Sequence, residues 1–178
     1  MIIAETDRLI LRRFRADDAQ DLYEYLSQPE TVRYEPYDPF TLPHARQEAA
    51  ARAHSEDFIA VCLKDGGKLI GNLYFHHGDY DCWELGYVFN ARYQHRGYAT
   101  EAARALLDLA FRRWGAHRVM AECNPENEAS WRLMERLHMR QEGWLRQNIW
   151  FRRDAQGRPI WQDTYTYAIL SSEWPSES

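Results

Sequence analysis

Six residues, Gln94-His95-Arg96-Gly97-Tyr98-Ala99, have the composition and setting of a loop that could hold a pyrophosphate. They follow a strand-like run, Trp83 to Phe89, and open a periodic helix. In that helix Ala99, Ala102, Ala103, Leu106, Leu107, Ala110, Phe111 and Trp114 recur at the three-and-four spacing of one buried stripe, so its N-terminus lies near Gly97. The first turn of a helix carries backbone N–H groups with no internal partner and the positive end of the peptide dipoles, which together stabilise an anion. Gly97 lets phosphate oxygens approach the backbone and Ala99 keeps the next turn slim. The Thr100 hydroxyl adds a donor, and Arg92, His95 and Arg96 add local positive charge. Taken alone, the same residues also suit an ordinary strand-to-helix turn.

Spacing excludes two other phosphate loops. A Walker loop needs Gly-x-x-x-x-Gly-Lys followed by Ser or Thr, and the only lysines, Lys64 and Lys68, have no such setting. A dinucleotide fingerprint needs three spaced glycines at the first strand-to-helix turn, whereas Gly97 stands alone past the middle of the chain.

A second helix start, Asn127-Glu128-Ala129-Ser130, comes just after the strand-like run His117 to Cys123. The Gln-x-x-Gly-x-Ala loop, the long amphipathic helix, the short strand and the Asn-x-x-Ser start resemble, in that order, the coenzyme A core of the GNAT superfamily of N-acetyltransferases. The resemblance covers about residues 5–173. Thr6-Asp7-Arg8-Leu9-Ile10-Leu11-Arg12, Ile70-Gly71, Glu84-Leu85-Gly86-Tyr87 and Asp163-Thr164-Tyr165-Thr166-Tyr167-Ala168 look like the branch that acetylates the N-termini (alanine or serine) of ribosomal proteins. That branch also contains members acting on other amines.

The resemblance implies direct attack of an amine, from a protein N-terminus or a small molecule, on the thioester of acetyl-CoA, with no metal. It implies a sheet that splays beside Tyr87, Val88 and Phe89, whose free backbone groups hold the pantetheine arm, with the Phe89 N–H as oxyanion donor. It implies that Gln94, His95, Arg96, Gly97, Tyr98, Ala99 and Thr100 hold the pyrophosphate, and that the Asn127 side chain holds pantetheine or caps its helix. Glu84 is the expected base, its pKa raised if Trp83 and Tyr87 partly bury it. Glu122, His76 and His77 are rival bases. The proton donor of many relatives, a tyrosine four residues after the Ser130 position, is Met134 here, so Ser130 is the expected acid. Arg132 and Arg136 could meet the 3′-phosphate. His138 stands where the family usually has glycine, and no acidic residue lies near Ile149, where some ribosomal-protein acetyltransferases place their base. A non-catalytic acyl-CoA-binding module on the same fold is the alternative.

These residues need a scaffold, and the rest of the chain reads as one domain over 1–178. At 178 residues with 45% hydrophobic content it is long enough to bury a sizeable core. Arg8 to Phe14 reads as a strand, and Asp17 caps a helix to about Leu26. Ser27 to Thr41, broken by prolines and carrying Tyr34, Tyr37 and Phe40, wraps over the core. A helix over about Leu42 to His54 precedes strands at Phe58 to Lys64 and Lys68 to His76, joined by Asp65-Gly66-Gly67. Strands at Met139 to Arg153 and Pro159 to Leu170 flank Asp154-Ala155-Gln156-Gly157. The expected class is mixed α/β (α+β), a central sheet of about seven strands, antiparallel in its N-terminal part, with about four helices. Tyr34, Tyr37, Trp144, Trp150 and Trp161 read as core, with an acceptor pocket or dimer face as the other use.

A net charge of −5 with interspersed signs argues against nonspecific nucleic-acid binding. No run approaches the roughly 18 apolar residues of a membrane span, and no apolar signal core opens the chain. Cys62, Cys82 and Cys123 are far apart and read as buried thiols. A cytoplasmic monomer or homodimer is expected.

Overall fold

The computed structural model describes residues 1–175. Among these residues eight strands form one sheet: β1 (Ile2–Glu5), β2 (Leu9–Arg13), β3 (Phe58–Leu63), β4 (Leu69–His77), β5 (Cys82–Phe89), β6 (Arg118–Cys123), β7 (Arg140–Arg153) and β8 (Pro159–Leu170). Their spatial order is β1-β2-β3-β4-β5-β6-β8-β7. All neighbours are antiparallel except β5 and β6. The fold class is therefore as expected, with one strand more. The addition is β1, an edge strand of four residues, too short to display alternation in sequence.

Four helices cover the two faces. Helices α1 (Ala19–Leu26) and α2 (Leu42–Ala53) pack on one side, around Leu22, Tyr25, Leu26 and Ala49. On the other lie α3 (Tyr98–Arg112) and α4 (Glu128–Arg136), around Leu106, Leu107 and Leu133. Strand alternation sorts the side chains: Leu9 and Leu11 face α3, whereas Ala60 and Cys62 face α1 and α2. Thr41 caps α2 by accepting from the His44 N–H at 3.3 Å. The Asp65-Gly66-Gly67 turn takes both glycines into left-handed φ, as a tight hairpin requires.

Two expectations about aromatic burial fail. Trp114 falls beyond the end of α3 and is 41% exposed. Trp150 and Trp161, 37% and 52% exposed, pair with each other where β7 and β8 run on past the six residues of β6, and Trp144, 52% exposed, lies on β7 at the edge of the sheet. Of the three cysteines, all free, only Cys62 is fully buried.

Candidate active site

The parallel contact of β5 with β6 needs a crossover, and α3 supplies it. That contact is short. Cys82, Trp83 and Glu84 pair with Arg118, Val119 and Met120, after which β5 stays with β4 and β6 with β8. A wedge opens between Leu85–Phe89 on one side and Ala121–Cys123 on the other. It forms the centre of a cleft of about 1170 Å³.

The backbone of β5 faces this wedge at alternate residues. The Asn90 N–H bonds the Ile70 carbonyl at 2.9 Å, so the N–H groups of Asn90 and Val88 point to β4 and those of Phe89 and Tyr87 point into the opening. Val88 lines the cleft, but its N–H is turned to β4. The Phe89 ring is 8% exposed and packs against Gly71, where a Cβ would meet the ring at 2.6 Å and the Val88 carbonyl oxygen at 2.7 Å.

At one end of the cleft stands the loop from Gln94 to Gly97. His95 and Gly97 both have left-handed φ, 60° and 80°, and Gly97 occupies the N-cap of α3 with no side chain capping the helix. The leading N–H groups of α3 are therefore free to meet an anion. Tyr98, Ala99 and Thr100 line the cleft beside them. The Gln94 carboxamide donates to the Phe89 carbonyl at 3.4 Å, linking loop and wedge. Arg136 donates to the Thr100 hydroxyl oxygen at 3.2 Å and so sits against the loop, whereas Arg132 is paired with Glu128.

A support for this loop was not assigned from sequence. Arg8 donates to the Arg96 carbonyl at 3.0 Å, ion-pairs with Glu101 at 2.5 Å and lies 4.5 Å over the Tyr98 ring. Thr6 donates to Glu101 at 2.5 Å. Burial opposes the Glu101 charge, but these donors hold its carboxyl below the usual range. Thr6 and Arg8 belong to the recognised opening motif, yet their partner lies more than ninety residues away.

Ser130 meets the wedge from the start of α4. It is 8% exposed, and its hydroxyl is 2.9 Å from the Tyr87 hydroxyl, which also donates to the Ser130 carbonyl at 2.9 Å. Burial pushes the Tyr87 phenol up, with the Ser130 contact opposing. Asn127 caps α4 through its carboxamide oxygen, accepting from the Ser130 N–H at 3.3 Å, which leaves its NH₂ group for a ligand. Met134 is 1% exposed and faces the core, so nothing at that position reaches the cleft.

Glu84 and Glu122 lie on the opposite face of the sheet from Tyr87, and both line the cleft. Trp83 and Tyr87 pack on the α3 side, so strand alternation turns Glu84 away from them and leaves it exposed. The expected burial of Glu84 is thus absent. Glu122 beside it has a raised carboxyl although its side chain remains exposed: loss of hydration against the neighbouring atoms is the main cause and the Glu84 charge the second. His76 and His77 do not reach the cleft; His76 sits by Asp57 and His77 stacks on Trp83.

The wrapping segment forms the far wall, contributing Tyr34, Glu35 and Tyr37, and β7 adds Ile149 and Phe151. Below them, Arg52 and Asn72 are each 3% exposed, and the Asn72 carboxamide oxygen accepts from Arg52 at 3.1 Å and Tyr25 at 2.8 Å. Glu35, Arg52 and Asn72 gave no sequence signal, because each stands outside any recognisable motif. Among the described residues no group of three or more His, Cys, Asp or Glu side chains could hold a metal ion, and no helix is long and apolar enough to cross a membrane.

Comparison with known proteins gives a consistent picture. The family model described as an acetyltransferase (GNAT) domain matches residues 8–140. An uncharacterised N-acetyltransferase of Bacillus subtilis, YnaD, is 38% identical over 172 residues, covering 95% of this chain and 97% of that protein. The [ribosomal protein uS5]-alanine N-acetyltransferase of Escherichia coli is 26% identical over 182 residues, covering 95% and 91%. Among solved structures, an acetyltransferase (GNAT family) from Bacillus anthracis superposes with a TM-score of 0.87 at 35% identity, covering 97% of this chain and all of that one.

Proposed function

The chain belongs to the GNAT family of acetyltransferases, and from that premise we propose that it transfers the acetyl group of acetyl-CoA to an amine, a peptide N-terminus or a small molecule. The observation that carries this reading is the wedge after Glu84. Two free backbone donors, a hydroxyl pair and two carboxylates converge there, within reach of a helix N-terminus suited to a pyrophosphate.

Acetyl-CoA supplies a thioester whose carbonyl carbon the amine attacks. Its fit is supported by the uncapped start of α3 and by Gly97, at a φ that side chains rarely adopt. In this reading the loop from Gln94 to Thr100 holds the pyrophosphate. The Tyr87 and Phe89 N–H groups, with Asn127, hold the pantetheine arm, and Val88 walls it. The Phe89 N–H also meets the negative charge that builds on the carbonyl oxygen, a role worth roughly 10²–10³ in rate. Glu84 and Glu122 act as a pair: Glu84 holds the incoming ammonium, and Glu122, whose carboxyl is the raised one, takes its proton. Ser130, oriented by Tyr87, delivers a proton to the departing sulfur. The three free cysteines suit the proposed cytoplasmic setting, and the proposed assembly is a monomer or homodimer.

The test is release of coenzyme A thiol from acetyl-CoA across peptide N-termini, amino acids, aminoglycosides and amines, with mass spectrometry of the product. Turnover is expected on one class. Gly97→Val is expected to lose acetyl-CoA affinity and, because it forces a side chain into left-handed φ, to lower the melting temperature by a few degrees while still folding; unchanged affinity would refute the assignment of the loop. The buried Met134 favours a second reading, a non-catalytic acyl-CoA-binding module. That module would bind acetyl-CoA tightly and release no thiol with any amine.

A further inference from the structure

We infer that the acceptor is an amine carrying a second cationic group, and that Glu35, on the wall formed by the segment between α1 and α2, is the specificity-determining residue that receives it. This rests on the acetyl-transfer reading above and extends it to the charge of the substrate.

The wall is fixed. Arg152 of β7 donates to three of its carbonyls, those of Arg33 at 3.0 Å, Tyr37 at 3.1 Å and Val32 at 3.2 Å. The Tyr34 hydroxyl donates to the Glu126 carbonyl at 3.2 Å, joining the wall to the lead into α4. Val32 and Phe40 are anchored in the core at 0% and 5% exposure. Glu35 is thus presented to the cleft from a segment held at both sides.

Its electrostatic position is unusual in this chain. Every other described Asp or Glu that is not exposed has an Arg, Lys or His within 4 Å. Glu35 has none. Burial raises its pKa, against the opposing influence of the Tyr37 hydroxyl and the more distant charge of Arg52. Arg52 is committed elsewhere, to Glu48 at 2.8 Å and Asn72 at 3.1 Å. A carboxylate taken from water without a counterion is costly, and a ligand cation removes that cost.

The reacting amine does not need Glu35. It arrives as an ammonium and must lose a proton, and Glu84 and Glu122 on the sheet already serve that charge. Glu35 stands on a separate element, so the charge that satisfies it is a second one on the same acceptor. The Tyr37 ring beside it suits a cation in a partly dry site, whereas the Tyr34 ring is already faced by the Arg33 guanidinium at 5.2 Å. Two sources share this chemistry, a free diamine and a peptide whose N-terminal residue is followed by Lys or Arg.

The experiment compares 1,4-diaminobutane with 1-aminobutane, and an Ala-Lys peptide with an Ala-Ala peptide, by steady-state kinetics and by calorimetric binding. The dication of at least one pair is expected to bind roughly tenfold or more tightly, with the gain in KM rather than kcat. Glu35→Gln is expected to remove that preference while kcat for the dication stays near the wild-type value, and Glu35→Asp to restore part of it. Preference confined to the diamine assigns a small-molecule acceptor, and preference confined to the peptide assigns a polypeptide one. Equal binding of both members of both pairs by the wild-type protein overturns the inference while leaving acetyl transfer intact. So does an equal loss for mono- and dications in Glu35→Gln, the pattern of a structural role. Calorimetric preference without turnover on any amine would instead refute the proposed function and uphold the role of Glu35.

Discussion

Phe89 rests on Gly71 so closely that a single methyl group added to Gly71 would lie 2.6 Å from its ring. The same methyl would lie 2.7 Å from the Val88 carbonyl oxygen, and backbone cannot swing aside as a side-chain tip can. Gly71→Ala must therefore displace β5 at the point where its backbone enters the wedge. Overpacking of this kind costs about 1–3 kcal/mol. A lower melting temperature is expected together with a raised KM for acetyl-CoA. Unchanged values of both would mean that β5 accommodates the methyl without moving.

The carboxylate pair gives a pH test. Glu122 is raised by loss of hydration and by the Glu84 charge, and it accepts a proton only when ionised. kcat/KM is therefore expected to rise with pH through the raised pKa of Glu122. Glu84→Gln removes one cause of the shift and moves this limb to lower pH. Glu122→Gln is expected to abolish the limb and lower kcat by roughly 10²–10⁴. A limb that persists unaltered in Glu122→Gln assigns the base elsewhere.

Ser130 and Tyr87 form a pair testable by a double-mutant cycle. Ser130→Ala removes the proposed donor to sulfur. Tyr87→Phe keeps the ring but frees the Ser130 hydroxyl to rotate. Each is expected to reduce kcat about 10-fold or more, and the double variant to fall little below Ser130→Ala alone, since the phenol acts through the serine. Full additivity would show two independent roles.

The turn after α4 carries a conformational cost at His138, whose φ of 61° closes the helix through the Met139 N–H to the Met134 carbonyl. A side chain at a left-handed φ costs about 1–2 kcal/mol relative to glycine, partly offset by glycine's greater freedom when unfolded. His138→Gly is therefore expected to stabilise the protein by about 0.5–1 kcal/mol, raising the melting temperature by a few degrees. A loss of stability would mean that the imidazole makes compensating contacts.

Local signals in the sequence went furthest where they were also structural necessities. The α3 stripe, the Thr41 cap and the Asp65-Gly66-Gly67 turn each follow from spacing or backbone chemistry within a few residues. The loop at Gly97 and the Asn127 cap lie where motif and helix start coincide. Less legible were features set by which face a strand presents. Glu84 and Tyr87 are three residues apart and so fall on opposite faces, which separates the carboxylate from the aromatics expected to bury it. Burial of Trp150 on β7 and Trp161 on β8 also depended on the length of a neighbouring strand, which those segments do not encode. Glu35 and Arg52 became candidates only once folding had assigned, or withheld, their counterions.

Arg152 reaches its three carbonyl partners across 115 to 120 residues of sequence. During synthesis the wall between α1 and α2 emerges early, but the side chain that fastens it leaves the ribosome near the end, on the strand before the final hairpin turn. The wedge beside Phe89 waits for the same part of the chain, because β6 is held along its whole length by β8. Only the loop at Gly97, braced by Thr6, Arg8 and Glu101, is supported by residues made early. Both walls of the cleft thus reach their final form together, in an almost complete polypeptide.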